Sequence, residues 1–202
     1  SFKKKTDSEE ALNKIKDQSY KITDVSSKVY RRNPQAPFTT STLQQTASGK
    51  FGFGASRTMQ IAQRLYQGID VEGETVGLIT YMRTDGTQIS NEAISDFRNF
   101  INKEHGKEYL PENPNSYKGK KAKNAQEAHE AIRPTDVTKK PTDMKKYLST
   151  DQSKLYELIW NRAVSSQMNP AEFDRKSITI ESDNKMINFK ANGSTIKFEG
   201  YL

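Results

Sequence analysis

Tyr20-Lys21-Ile22-Thr23-Asp24-Val25-Ser26-Ser27-Lys28-Val29-Tyr30-Arg31-Arg32 is the stretch on which the fold turns. Tyr20 and Ile22 alternate with polar residues, and Val25, Ser27 and Val29 continue the alternation in the opposite phase. Side chains that change face part-way along a strand mark an extra residue in the ladder, so the reading is one strand with a bulge near Asp24. Asn33-Pro34-Gln35-Ala36-Pro37 ends it, because proline lacks a ladder donor and constrains the residue before it. The far end of the chain carries the same period. Ile178 and Ile180 alternate before Asp183-Asn184; Ile187, Phe189 and Ala191 alternate before Asn192-Gly193; Ile196 and Phe198 follow. Asn-Gly favours a type I′ hairpin turn, so this end reads as a three-stranded antiparallel meander that the first strand can join.

Between the two ends the period changes to that of helices. Phe38 to Lys50 opens with a run of hydroxyls, Thr39 to Thr42, suited to a helix N-terminus. Gly49 through Gly54 reads as a flexible joint, without the Gly-Lys-Ser/Thr ending of a nucleotide site. Ser56 to Gln67 is a helix with Met59, Ala62, Leu65 and Tyr66 inward, and Ile69 to Thr75 is a surface loop. Val76 to Ile79 reads as a buried extended run. Ser90 caps a helix whose buried stripe is Ala93, Ile94, Phe97, Phe100 and Ile101, ending at Gly106. The longest helix runs from Thr150 to Met168, with Leu155, Leu158, Ile159 and Ala163 on one face and Trp160 in the core. A short helix at Thr6 to Lys16 precedes the first strand. The fold class is α+β: a mainly helical domain, residues 38–168, inserted between strands of an antiparallel β domain made of residues 1–37 and 169–202.

Composition narrows the partners. Of 202 residues 33% are hydrophobic and 28% charged, and the net charge of +7 favours an anionic partner. Without cysteine there is no disulfide and no thiolate metal site. No apolar run approaches the roughly 18 residues of a membrane span, and Ser1-Phe2-Lys3-Lys4-Lys5 is not the start of a signal peptide. A cytoplasmic location is the default expectation. Because the sequence opens without Met, a piece of a longer protein is expected.

The chemistry concentrates in Thr80-Tyr81-Met82-Arg83-Thr84-Asp85-Gly86-Thr87. A phenol whose ordinary pKa is near 10 needs a base or a cation to attack well. An arginine stays charged and can fork two donors onto a phosphate. Tyr81, Arg83 and Asp85 thus suit attack on a phosphodiester, although a tyrosine after an apolar run is more often a half-buried strand residue. Asn124 to Pro134 adds His129 and Arg133, with Glu127 and Glu130 nearby. With only two histidines in the chain, and none four residues from His129, a zinc site is not expected. The Pro111 to Lys123 loop carries Lys118, Lys120, Lys121 and Lys123, either a solvated stretch or a DNA contact.

Three stretches in fixed order tie these residues together: Pro37 to Gln45, Leu78 to Asp85 and Asn124 to Asp136. They resemble segments of the bacterial type IA DNA topoisomerases, and Met82 is similar to the topoisomerase I branch rather than the topoisomerase III branch. The resemblance implies a β arch carrying a helical domain, which lifts away so that a strand can pass, with hinges near residues 33–37 and 168–172. It implies cleavage and rejoining of one DNA strand through a 5′-phosphotyrosine, relaxing negative supercoils without ATP. Tyr81 is then the nucleophile, Arg83 the phosphate ligand, His129 the supporting histidine and Asp85 the orienting carboxylate. Thr80, Arg133, Lys121 and Lys123 are candidate DNA contacts, though Arg133 could equally hold its own segment. Family members also carry an acidic Mg²⁺-binding domain with an Asp-x-Asp motif, and this chain has no such motif. The expectation is that Mg²⁺ binds outside these residues, that the partners are single-stranded DNA and the rest of a parent chain, and that this chain alone is inactive. A non-catalytic module that binds single-stranded DNA is the other reading.

Overall fold

The computed structural model describes residues 4–16, 18–117 and 129–202. In chain order the elements are α1 (Lys5–Lys16), β1 (Tyr20–Arg32), α2 (Thr40–Phe51), α3 (Ala55–Gln67), β2 (Ile69–Val71), β3 (Glu74–Val76), α4 (Asn91–Glu104), α5 (Pro141–Met144), α6 (Thr150–Ser166), β4 (Ala171–Ser182) and β5 (Asn188–Phe198). They divide into two compact units, Ser1–Arg32 with Ala171–Glu199, and Asn33–Pro170 with Gly200–Leu202. The breaks fall after Arg32 and Pro170, a few residues from the expected 37/38 and 168/169.

The first unit is a three-stranded antiparallel sheet in the order β1-β4-β5. Its register slips between Ile22 and Asp24, the bulge expected from the phase change. None of the β1 residues is buried, so cross-strand contacts hold the strand. Tyr30 stacks on Phe173 at 5.0 Å, Arg31 pairs with Glu172 at 2.8 Å, and Ser27 donates to Asp174. The expected meander is corrected here. Asn192 and Gly193 lie inside β5, paired with Ser177 and Lys176, and the one turn falls at 183–187. A long β4 paired along both edges outweighs a local turn preference, and Gly193 adopts no left-handed φ.

The second unit is helical. Thr39 caps α2 through a reciprocal pair with Thr42, and Ser149 caps α6 with Gln152 in the same way. Gly49 to Phe51 belong to α2, and the stop is Gly52 at φ 69°, so the joint is shorter than expected. The expected loop at 69–75 is a small hairpin, β2 against β3, with Glu72 and Gly73 at positive φ in its turn. Tyr66 is not inward but 40% exposed; Thr58 and Ile61 take the buried face of α3 instead.

Leu43 and Ala47 of α2, Ile61, Ala62 and Leu65 of α3, and Leu155, Tyr156 and Ile159 of α6 close one core around Leu78, Ile79, Met82 and Ile132. A second core joins Phe97, Phe100 and Ile101 of α4 to Val137, Ala163, Val164 and Met168. Trp160 packs against both and donates its indole N–H to the Val137 carbonyl at 3.0 Å. Leu155 is fully buried, so Leu155→Ala should cost about 2–5 kcal/mol. Urea titration followed by Trp160, the single tryptophan, measures it, and a shift below about 1 kcal/mol would contradict the packing.

Tyr117 donates to the Ser166 carbonyl at 2.8 Å. Burial pushes its phenol up to about 12, partly opposed by the Arg162 guanidinium. The raised pKa favours the protonated form in the fold. That stability is whole below about pH 10, the unfolded value, and drains away as pH rises to about 12. Titration of tyrosinate absorbance should show a phenol that ionises only as the helical unit unfolds.

Candidate active site

Residues 78–85 form no regular strand, yet from Thr80 onward their side chains alternate as a strand's would, after the buried pair Leu78 and Ile79. Leu78, Met82 and Thr84 are buried, while Tyr81, Arg83 and Asp85 are exposed. Period two thus puts the phenol, the guanidinium and the carboxylate on one outward face, with Met82 as the fully buried anchor beneath them.

Two neighbouring segments hold this ribbon in place. Thr40, the first residue of α2, donates its backbone N–H to the Thr84 carbonyl at 2.9 Å and its hydroxyl to the Met82 carbonyl at 2.7 Å. The same hydroxyl accepts from the Thr84 N–H at 2.9 Å. On the other side lies the segment 129–135. Thr80 donates its N–H to the Arg133 carbonyl at 2.9 Å and its hydroxyl to the Ala131 carbonyl at 2.8 Å, and accepts from the Arg133 N–H at 3.0 Å. Thr135 donates its hydroxyl to Gly77, and its N–H to Leu78. The Phe38 carbonyl in turn accepts from Ile132 at 2.8 Å. Backbone polar groups far apart in sequence are satisfied against one another, so the three stretches form one rigid constellation.

The Tyr81 ring stands edge-on to His129 at 5.7 Å and to Tyr66 of α3 at 5.4 Å, with 39% of the residue exposed. His129 is set by the Thr84 hydroxyl, which donates to its carbonyl at 3.1 Å, and by close approach of Gly86. A Cβ at Gly86 would run into that carbonyl oxygen. Among the described residues, Arg83 and Asp85 have no hydrogen-bond or ion-pair partner on their side chains, so both are free to face a ligand.

Two of the expected DNA contacts are otherwise occupied. Arg133 forks onto Glu130 at 2.6 and 2.8 Å and donates to the Pro134 carbonyl at 3.0 Å, with its side chain 13% exposed. These bonds tie Arg133 to its own segment. The Thr80 hydroxyl bonds 131–133 in the same way. Lys121 and Lys123 lie outside the described residues, as does the 118–123 loop. Sequence reading assigned no such task to Thr40, Thr84 or Gly86. Their only signal was a hydroxyl run and a glycine in the stretches that carry the chemistry. Among the described residues no three of His, Asp and Glu converge as a metal-binding cluster.

The ribbon 78–85 and the neighbouring segment 129–135 thus bring Tyr81, Arg83 and His129 to one side of the helical unit. The family model described as DNA topoisomerase matches residues 1–202, and the chain belongs to that family. It is 52% identical over 188 residues to DNA topoisomerase 1 of Rickettsia bellii (strain RML369-C), covering 93% of this chain and 23% of that protein. Against DNA topoisomerase 1 of Xylella fastidiosa (strain 9a5c) it is 50% identical over 182 residues, 90% of this chain and 22% of the relative. The structure of full-length topoisomerase I from Thermotoga maritima matches with a TM-score of 0.83 and 38% identity, over 95% of this chain and 30% of that one. The chain thus spans about a quarter of the length of the curated relatives it matches.

Gly86→Ala tests the constellation directly. The methyl must displace the 129 backbone, and a misplacement of about 1 Å can cost about 10²-fold in rate. The expected result, once the chain sits in an active enzyme, is a loss of that size together with some loss of stability, because the atom displaced is backbone. An unchanged rate would mean that His129 has no part in the chemistry.

Proposed function

We propose that this chain is the nucleophile-bearing part of a type IA DNA topoisomerase that cleaves and rejoins one strand of DNA. The observation that carries the reading is the shared outward face of Tyr81 and Arg83, with His129 against the Tyr81 ring. Tyr81 Oη attacks a backbone phosphorus. The Oη–P bond forms, the P–O3′ bond breaks, the phenol gives up its proton, and the departing O3′ takes one. The strand is left joined through its 5′ phosphate to Tyr81, and the reverse step reseals it. Arg83 meets the charge on the phosphate oxygens. His129, beside the phenol, is placed to relay the proton. Asp85, on the same outward face, is the carboxylate that orients the cation or imidazole once a strand is bound. Thr80, Arg133, Thr40 and Thr84 hold these groups in register.

Mg²⁺ belongs, on this reading, to an acidic domain elsewhere in a longer protein, and no step above runs through it. Single-stranded DNA is the substrate and the acidic domain the structural partner. No helix among the described residues is long and apolar enough to cross a membrane, and the cytoplasm is the proposed location. The test is a chimera in which residues 1–202 replace the matching segment of the Thermotoga maritima enzyme. Incubated with labelled single-stranded oligonucleotide, denatured and digested, it should yield one DNA-bearing peptide, the one containing Tyr81. An adduct on any other residue would overturn the assignment.

A further inference from the structure

The outward face of α3 carries a feature that the cleavage chemistry does not use. Ser56, Gln60, Gln63, Arg64 and Gln67 recur at spacings of three and four, so they share one face of the helix. Together with Arg83 they line a groove of roughly 690 Å³. The lining holds two guanidiniums, three side-chain amides and no carboxylate. Arg57, one position round the helix, is committed to Asp151 at 2.6 Å and stacks on Phe53. Among the described residues neither Arg64 nor Arg83 has such a partner. The fold has therefore left two cations unspent in one trough. From Ser56 to Gln67 the helix rises about 17 Å at 1.5 Å per residue, room for a few nucleotides. Arg83, which shares an outward face with Tyr81, lines the same groove and so links it to the phenol's face.

We infer that this groove is a subsite for single-stranded DNA, in which Arg64 binds a phosphate flanking the one at Tyr81 and the Gln60, Gln63 and Gln67 amides hydrogen-bond the adjoining nucleotides. This rests on the reading of Tyr81 as the strand-cleaving group. Arg83 is then shared between the reacting phosphate and the track, which fixes the register of the strand relative to the phenol. Amides donate and accept alike, so the track favours no base strongly.

The test reads binding, not cleavage. The 202-residue chain is titrated against fluorescein-labelled oligothymidylate at several salt concentrations. The wild-type slope should correspond to about two to four phosphates at about 0.7 each, and Arg64→Ala should lower it by about 0.7 with an affinity loss of about fivefold. Arg64→Lys should restore most of the slope, and Lys107→Ala should leave it unchanged. Because the chain has no cysteine, Gln60→Cys introduces a single thiol, and oligothymidylate should slow its alkylation at least severalfold. The same thiol at Glu157 should react at one rate with or without DNA. If Arg64→Ala behaves like Lys107→Ala, or if the Gln60→Cys thiol is not protected, the groove is not a DNA track. A chimera that still forms the Tyr81 adduct in that event leaves the reaction standing. Binding that depends on Arg64 with no Tyr81 adduct would instead separate the track from the chemistry.

Discussion

Tyr81→Phe is expected to abolish adduct formation and relaxation in the Thermotoga chimera while leaving folding and DNA binding close to wild type. The substitution removes one oxygen from a ring that is 39% exposed and touches Tyr66 and His129 only through its edges. Among the described residues no hydrogen bond ends on that oxygen, so nothing buried is left unsatisfied. Without Oη there is no bond to phosphorus, and the loss is complete rather than graded. Arg83→Lys should give a different signature. The ammonium keeps the charge but cannot make the two-donor contact, so the rate should fall about 10–10²-fold with binding changed much less. Gel assays of the denatured adduct read both. Residual relaxation by the Phe variant would show that another group is the nucleophile.

The chain by itself should give no detectable adduct, with or without Mg²⁺. Attack by Tyr81 needs a proton removed from Oη, a proton supplied to O3′, and compensation for the charge that builds on the phosphate. Losing one well-placed charge stabiliser typically costs about 10²–10³ in rate, and losing a general acid typically a further 10²–10⁴. Cleavage should then run about 10⁴-fold or more below that of the chimera. His129 does not close that gap, because one imidazole cannot both donate to O3′ and take up the phenol's proton in the same step. The measurement uses end-labelled single-stranded oligonucleotide, denaturation and a search for a protein-linked band. A Tyr81-dependent band at appreciable yield would mean that the 202 residues contain an acid of their own. Arg64-dependent binding without that band would fit the division of labour proposed here.

The sequence by itself determined the elements whose signals are local. The phase change between Ile22 and Val25 marked the bulge in β1, and Thr39 and Ser90 stood where helices begin. The apolar run from Val76 to Ile79 was legible as a buried extended entry to Tyr81, and Leu78 and Ile79 are buried. What only the tertiary structure decided was where competing local preferences lose, and where polar groups end. Asn192-Gly193 has a strong turn preference, yet the ladder to β4 keeps it extended. Arg133 was open between a phosphate contact and a hold on its own segment, and Thr80 was a candidate contact. The bonds they make to Glu130, Pro134 and Ala131 exist only once the chain has folded. The task of Thr40 was equally hidden. It bonds Met82 and Thr84 more than 40 residues away, and no pattern within a segment encodes a contact whose other half lies in another.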